Sequence, residues 1–332
     1  MRAGLRWSQA APDQQEPGGP ACYRGPVAVI EVEGLRKEYR RLRGGRTVAV
    51  DGLDLSVPEG GVYGFLGPNG AGKTTTIRCL LGLVHPTAGR ATLMGARGRA
   101  GLRSVMTRVG SIVEAPAFTP RMSGRRNLEL LGAIDGIGRR RVRDVLERVG
   151  LGDRADDPVR AYSLGMKQRL GIAAALLKDP AVLILDEPAN GLDPAGIKEV
   201  RELLRRLGAE GRTVFVSSHI LSEVQQMAER VAIIARGRRV ADGRVSDVLA
   251  SRTSSGVLVR VPDVEQAGRS LDRAGIGWTR EGERLRVAID PQDGADVTRI
   301  LASDGVYLSE LRPVEADLET VFLELTADGG RL

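Results

Sequence analysis

Gly67-Pro68-Asn69-Gly70-Ala71-Gly72-Lys73-Thr74 fills every fixed position of the G-x-x-x-x-G-K-[ST] pattern, between a strand-like VYGF and a helix-like KTTTIRCLLGL. Each residue type answers a chemical need. Glycines let successive backbone N–H groups turn inward around phosphate oxygens, and the helix that follows aims its positive end at the same anion. That much would hold any phosphate. Lys73 adds a point charge that can reach β- and γ-phosphates, and the Thr74 hydroxyl, with Thr75 beside it, offers Mg2+ a ligand. Together they select a nucleoside triphosphate with its metal, so the expected ligands are ATP and Mg2+.

A second group of reactive residues lies at Ala181-Val182-Leu183-Ile184-Leu185-Asp186-Glu187-Pro188, an apolar run that ends abruptly in two carboxylates. Such a run reads as a strand buried on both faces of a parallel sheet, and ligands of such sheets bind at the carboxyl ends of the strands. Asp186 therefore stands where Mg2+ is expected. Glu187 points to the other side of the chain, where a carboxylate beside the γ-phosphate orients and polarises an attacking water. An acidic pair after a strand is often no more than the start of a loop; joined to the phosphate loop it reads as catalytic.

On these residues the chain resembles the nucleotide-binding subunit of an ATP-binding cassette (ABC) transporter. Further motifs follow in the family's order. Tyr162-Ser163-Leu164-Gly165-Met166-Lys167-Gln168-Arg169 falls where the family carries its LSGGQ signature; Ser163 and Gly165 match, Leu164 and Met166 do not. A serine and a glycine at a helix N-terminus can still offer a hydroxyl, N–H groups and a helix dipole to a γ-phosphate. Asn190-Gly191-Leu192-Asp193 resembles the D-loop, and His219, after the strand-like VFVSS, resembles the switch histidine. Glu114 stands where the family usually has a glutamine that senses Mg2+ and the membrane subunit, and a carboxylate can accept the metal or water contact but cannot donate a hydrogen bond. Tyr39, in Leu35-Arg36-Lys37-Glu38-Tyr39, resembles the aromatic residue that stacks on adenine. The other histidine, His85, reads as an ordinary loop residue.

The resemblance implies a dimer, because in the family the signature of one subunit closes over the ATP held by the phosphate loop of the other. With one copy of each motif, the expected unit is a head-to-tail homodimer with two ATP sites. It also implies a separate polytopic membrane permease, with Pro120-Arg121-Met122-Ser123-Gly124-Arg125-Arg126-Asn127-Leu128 facing it. The ending of the chain resembles those of bacterial cassette subunits serving drug or lipid exporters, the daunorubicin-resistance and bacitracin-type ATPases. An importer subunit is the near alternative, and a soluble cassette ATPase acting on ribosomes or DNA the distant one. The features of that last class, paired cassettes or long coiled-coil and zinc insertions, are missing from the sequence.

The elements that must position these groups follow the rhythm of an α/β fold. Short strands are expected over 27–66, a helix over 73–84, two strands within 90–113 and a helical region from about 123 to 177. Strand 181–185, helix 194–209, strand 212–217, helix 219–229 and strand 230–235 then alternate as in a parallel sheet with covering helices. The expected cassette, residues 27–250, thus has an antiparallel β subdomain and a helical subdomain. Residues 251–332 read as a second, α+β domain in ferredoxin-like β-α-β-β-α-β order, on which an amphipathic helix from Asp317 to Leu325 is expected to pack.

Composition sets the surroundings. The 332 residues, 42% hydrophobic, suffice for about two domains, and no apolar stretch approaches the length of a spanning helix. Any membrane association is therefore expected to be peripheral, and the resemblance implies the cytoplasmic side. Residues 1–26, rich in Pro, Gly and Gln, read as a disordered extension. Cys22 in that tail and Cys79 in the phosphate-loop helix suit a reducing cytosol. The net charge of +7 comes from basic residues spread along the chain, as in Arg139-Arg140-Arg141, and with 3% aromatic residues no nucleic acid partner is expected.

Overall fold

A computed structural model describes residues 28–40, 44–114, 117–250, 256–314 and 317–328. The extension expected over residues 1–26, with Cys22, lies outside the described residues. Along the chain run β1 (Ala28–Arg40), β2 (Arg46–Pro58), β3 (Gly61–Leu66), α1 (Lys73–Leu80), β4 (Ala88–Leu93), β5 (Ala96–Arg97), α2 (Gly98–Val105) and β6 (Val109–Ile112). Three helices follow, α3 (Gly124–Ile134), α4 (Arg139–Arg148) and α5 (Leu164–Leu176). Then come β7 (Val182–Asp186), α6 (Pro194–Ala209), β8 (Thr213–Ser218), α7 (Leu221–Gln225), β9 (Arg230–Ala235), β10 (Arg238–Arg244) and α8 (Val245–Ala250). The last stretch holds β11 (Gly256–Arg260), α9 (Val264–Arg273), β12 (Trp278–Glu281), β13 (Arg284–Val287), α10 (Gly294–Ser303), β14 (Glu310–Val314) and α11 (Leu318–Asp328).

These strands make three sheets. The central one has the order β10-β9-β3-β8-β7-β6, parallel except for the antiparallel edge strand β10. Its inner strands are apolar on both faces because both are covered. Val182 and Ile184 of β7 turn to a core shared with β1, β2 and α1, whereas Leu183 and Leu185 turn to one shared with α4, α5 and α6. The antiparallel sheet β2-β1-β4-β5 closes over the first core, and helices α3 to α6 close over the second. Residues of β3, β7 and β8 thereby end side by side at one rim, fixed from both faces.

The third sheet, β12-β13-β11-β14, is antiparallel throughout and covered by α9 and α10, the strand order of a ferredoxin-like unit. Its core is separate, built on Val257, Val259, Leu271, Leu285 and Leu301.

The structure departs from the sequence expectations in four places. Helix α11 does not pack on the small sheet: Leu318 and Val321 join the core of the cassette, and the Leu318 N–H donates to Gln225 Oε1 of α7 at 3.0 Å. Its amphipathic pattern called for a buried face, which α7 and α8 supply. The helix expected over 219–229 shrinks to Leu221–Gln225, because the Ile220 N–H is taken by the Ser218 hydroxyl at 2.9 Å and the chain turns there. Between the strands expected within 90–113 lies a helix, α2. Strand β10 and helix α8 were not foreseen, since RRVADGR has no alternation of apolar residues to mark an edge strand.

Candidate active site

The phosphate loop leaves β3 and enters α1 under tight steric control. A Cβ on Gly67 would stand 2.5 Å from the Ile234 carbonyl oxygen, and one on Gly72 would stand 2.4 Å from that of Ala49. Gly72 also lies at φ 108, a conformation that L side chains rarely adopt. The loop is thus walled by β9 and β2, and both sites exclude any side chain. Two backbone bonds fasten it: Gly67 N–H to Ser218 O at 3.4 Å and Gly237 N–H to Ala71 O at 3.0 Å. Helix α1 starts with no side-chain cap and no acidic residue in its first turn, so its N-terminal N–H groups keep their positive potential for an anion. Thr74 and Thr75, both half-buried, sit in that turn.

Lys73 is only 5% exposed, and its ammonium is surrounded by oxygen. It donates to Gly67 O at 2.6 Å and Pro68 O at 3.3 Å, and its Nζ lies 3.0 Å from Glu187 Oε1. The other Glu187 oxygen, Oε2, is 2.7 Å from His219 Nδ1 and 3.3 Å from the His219 backbone N–H. A carboxylate only accepts, so Nδ1 carries the hydrogen in this contact. The sequence-predicted residues Lys73, Glu187 and His219, from three separate segments, therefore meet in one cluster.

Asp186 and Glu187 diverge at the end of β7. The Asp186 carboxylate accepts from the Ser217 hydroxyl, while the Glu187 backbone sits at φ 49, left-handed for a residue with a side chain. Asp186 and Thr74 could offer an ion one carboxylate and one hydroxyl, a sparse donor set. That suits Mg2+, which keeps several waters and takes phosphate oxygens, rather than a metal needing a full protein cage. The loop, the uncapped helix and this pair fit a nucleotide with its metal.

A scan against family descriptions matches residues 50–190 to the ABC transporter family. The bacitracin transport ATP-binding protein BcrA of Enterococcus faecalis is 38% identical over 306 residues, 91% of this chain and 97% of that protein. The chain belongs to the ABC transporter family. The daunorubicin resistance ATP-binding protein DrrA3 of Streptomyces coeruleorubidus is 36% identical over 312 residues, 91% of this chain and 97% of that one. Among solved structures, cbiO1 from Clostridium perfringens, part of the ABC transporter complex cbiONQ, superposes with a TM-score of 0.60 at 30% identity, covering 68% of this chain and 92% of that one. The fold is that of an ABC ATPase, the protein is an ATP hydrolase of this family, and its relatives place it in the drug and antibiotic branch.

The remaining residues singled out from the family pattern make contacts of their own. Ser163 is the N-cap of α5, its hydroxyl accepting the Met166 N–H at 3.2 Å, and Gly165 is the second residue of the helix with room for a side chain, its nearest foreign atom being 3.8 Å from a built Cβ. Asp193 caps α6, accepting the Gly196 N–H at 3.0 Å ahead of Pro194. Glu114, exposed and at φ 75, is ion-paired with Arg78 of α1. Tyr39 is an exposed residue at the end of β1, paired with Thr47 and carrying the Lys37 ammonium 5.0 Å from its ring centroid. What sequence reasoning missed is the serine pair of VFVSSH: Ser217 bonds both Asp186 and Glu187, and Ser218 holds Gly67 through its carbonyl and Ile220 through its hydroxyl. Two polar residues ending an otherwise apolar buried strand were the available signal.

Proposed function

We propose that this chain is the ATP-hydrolysing subunit of a bacterial ABC exporter for a drug, antibiotic or lipid-like cargo, acting as a head-to-tail homodimer on the cytoplasmic face of the membrane beneath a separate permease. The observation that carries the reading is the convergence of Lys73, Glu187 and His219 on the rim formed by β3, β7 and β8.

In this reading the loop Gly67–Thr75 holds the phosphates through backbone N–H groups, those of Gly70 and Gly72 among them, and Lys73 exchanges its carboxylate partner for phosphate oxygens. Thr74 and Asp186 would hold Mg2+, which supplies charge neutralisation of the phosphates. Glu187, released from Lys73, accepts a proton from the attacking water, and His219 keeps its carboxylate aligned. Ser163 and Gly165 of α5, with Asp193 beside them, present their helix ends to the nucleotide of the second copy. Glu114 reports metal and permease contacts, and Tyr39 stacks on the base. Closure follows because the nucleotide touches both subunits only in the closed state.

The permease reading draws support from the helical subdomain. Met122, Leu130, Leu131 and Ile134 are all exposed there, Ile134 at 82%, beside a cavity of about 630 Å³ that Leu131 and Ile134 line together with Glu114. Among the described residues no helix is long and apolar enough to cross a membrane. Names of the relatives favour export; the importer alternative gains nothing from them.

The test is Glu187→Gln. It should leave ATP binding intact and lower turnover by roughly 100- to 10,000-fold, the usual worth of a positioned base. Purified from its native membrane in mild detergent with ATP, the variant should bring a polytopic membrane protein with it. Wild-type turnover would remove Glu187 as the base, and recovery with ribosomes or DNA instead of a permease would sink the exporter reading.

A further inference from the structure

Ser217 occupies the penultimate position of β8, 0% exposed, following the apolar Val214, Phe215 and Val216. A hydroxyl so deeply buried is costly unless its hydrogen-bonding capacity is used. Here both directions are used, and on two neighbouring residues. The hydroxyl donates to Asp186 Oδ1 and accepts the backbone N–H of Glu187 at 3.0 Å. The Ser217 carbonyl lies 3.2 Å from that same N–H. Register explains the reach, since Ser217 stands directly opposite Asp186 in the parallel pair of β7 and β8. The left-handed backbone of Glu187 is thus held by two acceptors of a single residue on the next strand.

We propose that Ser217 is a positioning residue for ATP hydrolysis: one buried hydroxyl sets the metal-side carboxylate of Asp186 and the water-side backbone of Glu187 relative to each other. The inference rests on the roles given to Asp186 and Glu187 above. Loss of the hydroxyl frees the Asp186 carboxylate to rotate and removes one of the two restraints on Glu187. Groups that orient a ligating carboxylate in this way are typically worth roughly 10- to 100-fold in metal affinity or activity. The phosphate loop is tethered to β8 through Ser218, so binding of nucleotide without metal stays the same.

The test uses the full chain with Ser217→Ala and Ser217→Thr, alongside Glu187→Gln. Three quantities are read: turnover against Mg2+ concentration, affinity for a fluorescent ATP analogue in EDTA, and Mn2+ affinity of the protein loaded with a non-hydrolysable analogue, followed by the free-ion EPR signal. Ser217→Ala should lower turnover and Mn2+ affinity by about 10-fold or more and leave metal-free nucleotide binding within about twofold, with Thr restoring both to within about threefold. Turnover and Mn2+ affinity within twofold of wild type in Ser217→Ala would overturn the proposal. So would equal losses in Ala and Thr accompanied by weakened metal-free binding, which would mark Ser217 as packing. Wild-type turnover by Glu187→Gln would bring down the underlying assignment, and this inference with it, whatever Ser217 does.

Discussion

Helix α1 and helices α5 and α6 begin in opposite ways. At α1 the position before the helix is Gly72, with no side chain to give, and the first turn holds no carboxylate; at α5 and α6 Ser163 and Asp193 cap the helix from within. An uncapped N-terminus leaves donors and a positive end in want of an anion, and a capped one has satisfied part of that want already. The difference fits the proposed roles, in which α1 takes the ligand and α5 and α6 hold their shape without one. In the proposed dimer this lets the phosphate loop bind first and the signature segment arrive preformed.

The strongest way to break the comparison is Gly72→Ala. With its Cβ 2.4 Å from the Ala49 oxygen and φ at 108, the variant should lose roughly 2–3 kcal/mol of stability and all measurable binding of a fluorescent ATP analogue. Normal binding would mean that the loop is not shaped as described. Ser163→Ala comes next. It should cost about 1 kcal/mol in urea unfolding through the lost cap, with ATP affinity of the isolated subunit unchanged. A drop in that affinity would show that the two helix ends are not independent.

Gly165→Ala should be harmless to folding, shifting stability by less than about 1 kcal/mol and in the stabilising direction, because a helical site with space at 3.8 Å prefers alanine. If it unfolds the protein, the signature glycine has a steric role. The far end of α5 gives the smallest effect. There Asp179, paired with Arg212 and Arg141, has its carboxyl held below the ordinary 3.8, first by the Arg212 hydrogen bond. A depressed folded value means that the contribution is complete above the ordinary value and is lost as pH falls through the depressed one. Asp179 is mostly exposed, so Asp179→Asn should cost under about 1 kcal/mol at pH 7, a difference that closes below its depressed value in acid unfolding curves.

Legibility in the sequence followed the same division. The phosphate loop could be read because the ligand dictates residue type at fixed spacing along one stretch of chain. Asp186 and Glu187 could be read because charge interrupts a run that burial on both faces requires to be apolar. Ser217 was marked only as a polar residue ending an apolar run, and that does not name its partners: they lie 30 and 31 residues away and are chosen by strand register, which spacing does not encode. Strand β10 stayed hidden because an edge strand needs no apolar alternation. Helix α11 showed that it must bury a face but not which surface would receive it.

That last helix has a mechanical consequence. Residues of β11 to β14 form a unit with its own core, entered from α8 and left through α11, which returns to α7 and α8. The small domain is therefore moored at both ends, and α7 begins two residues beyond His219. A domain moored once can swing like a pendulum. Tied twice, it has less freedom to turn, and both ties lie on the flank of the cassette that follows His219.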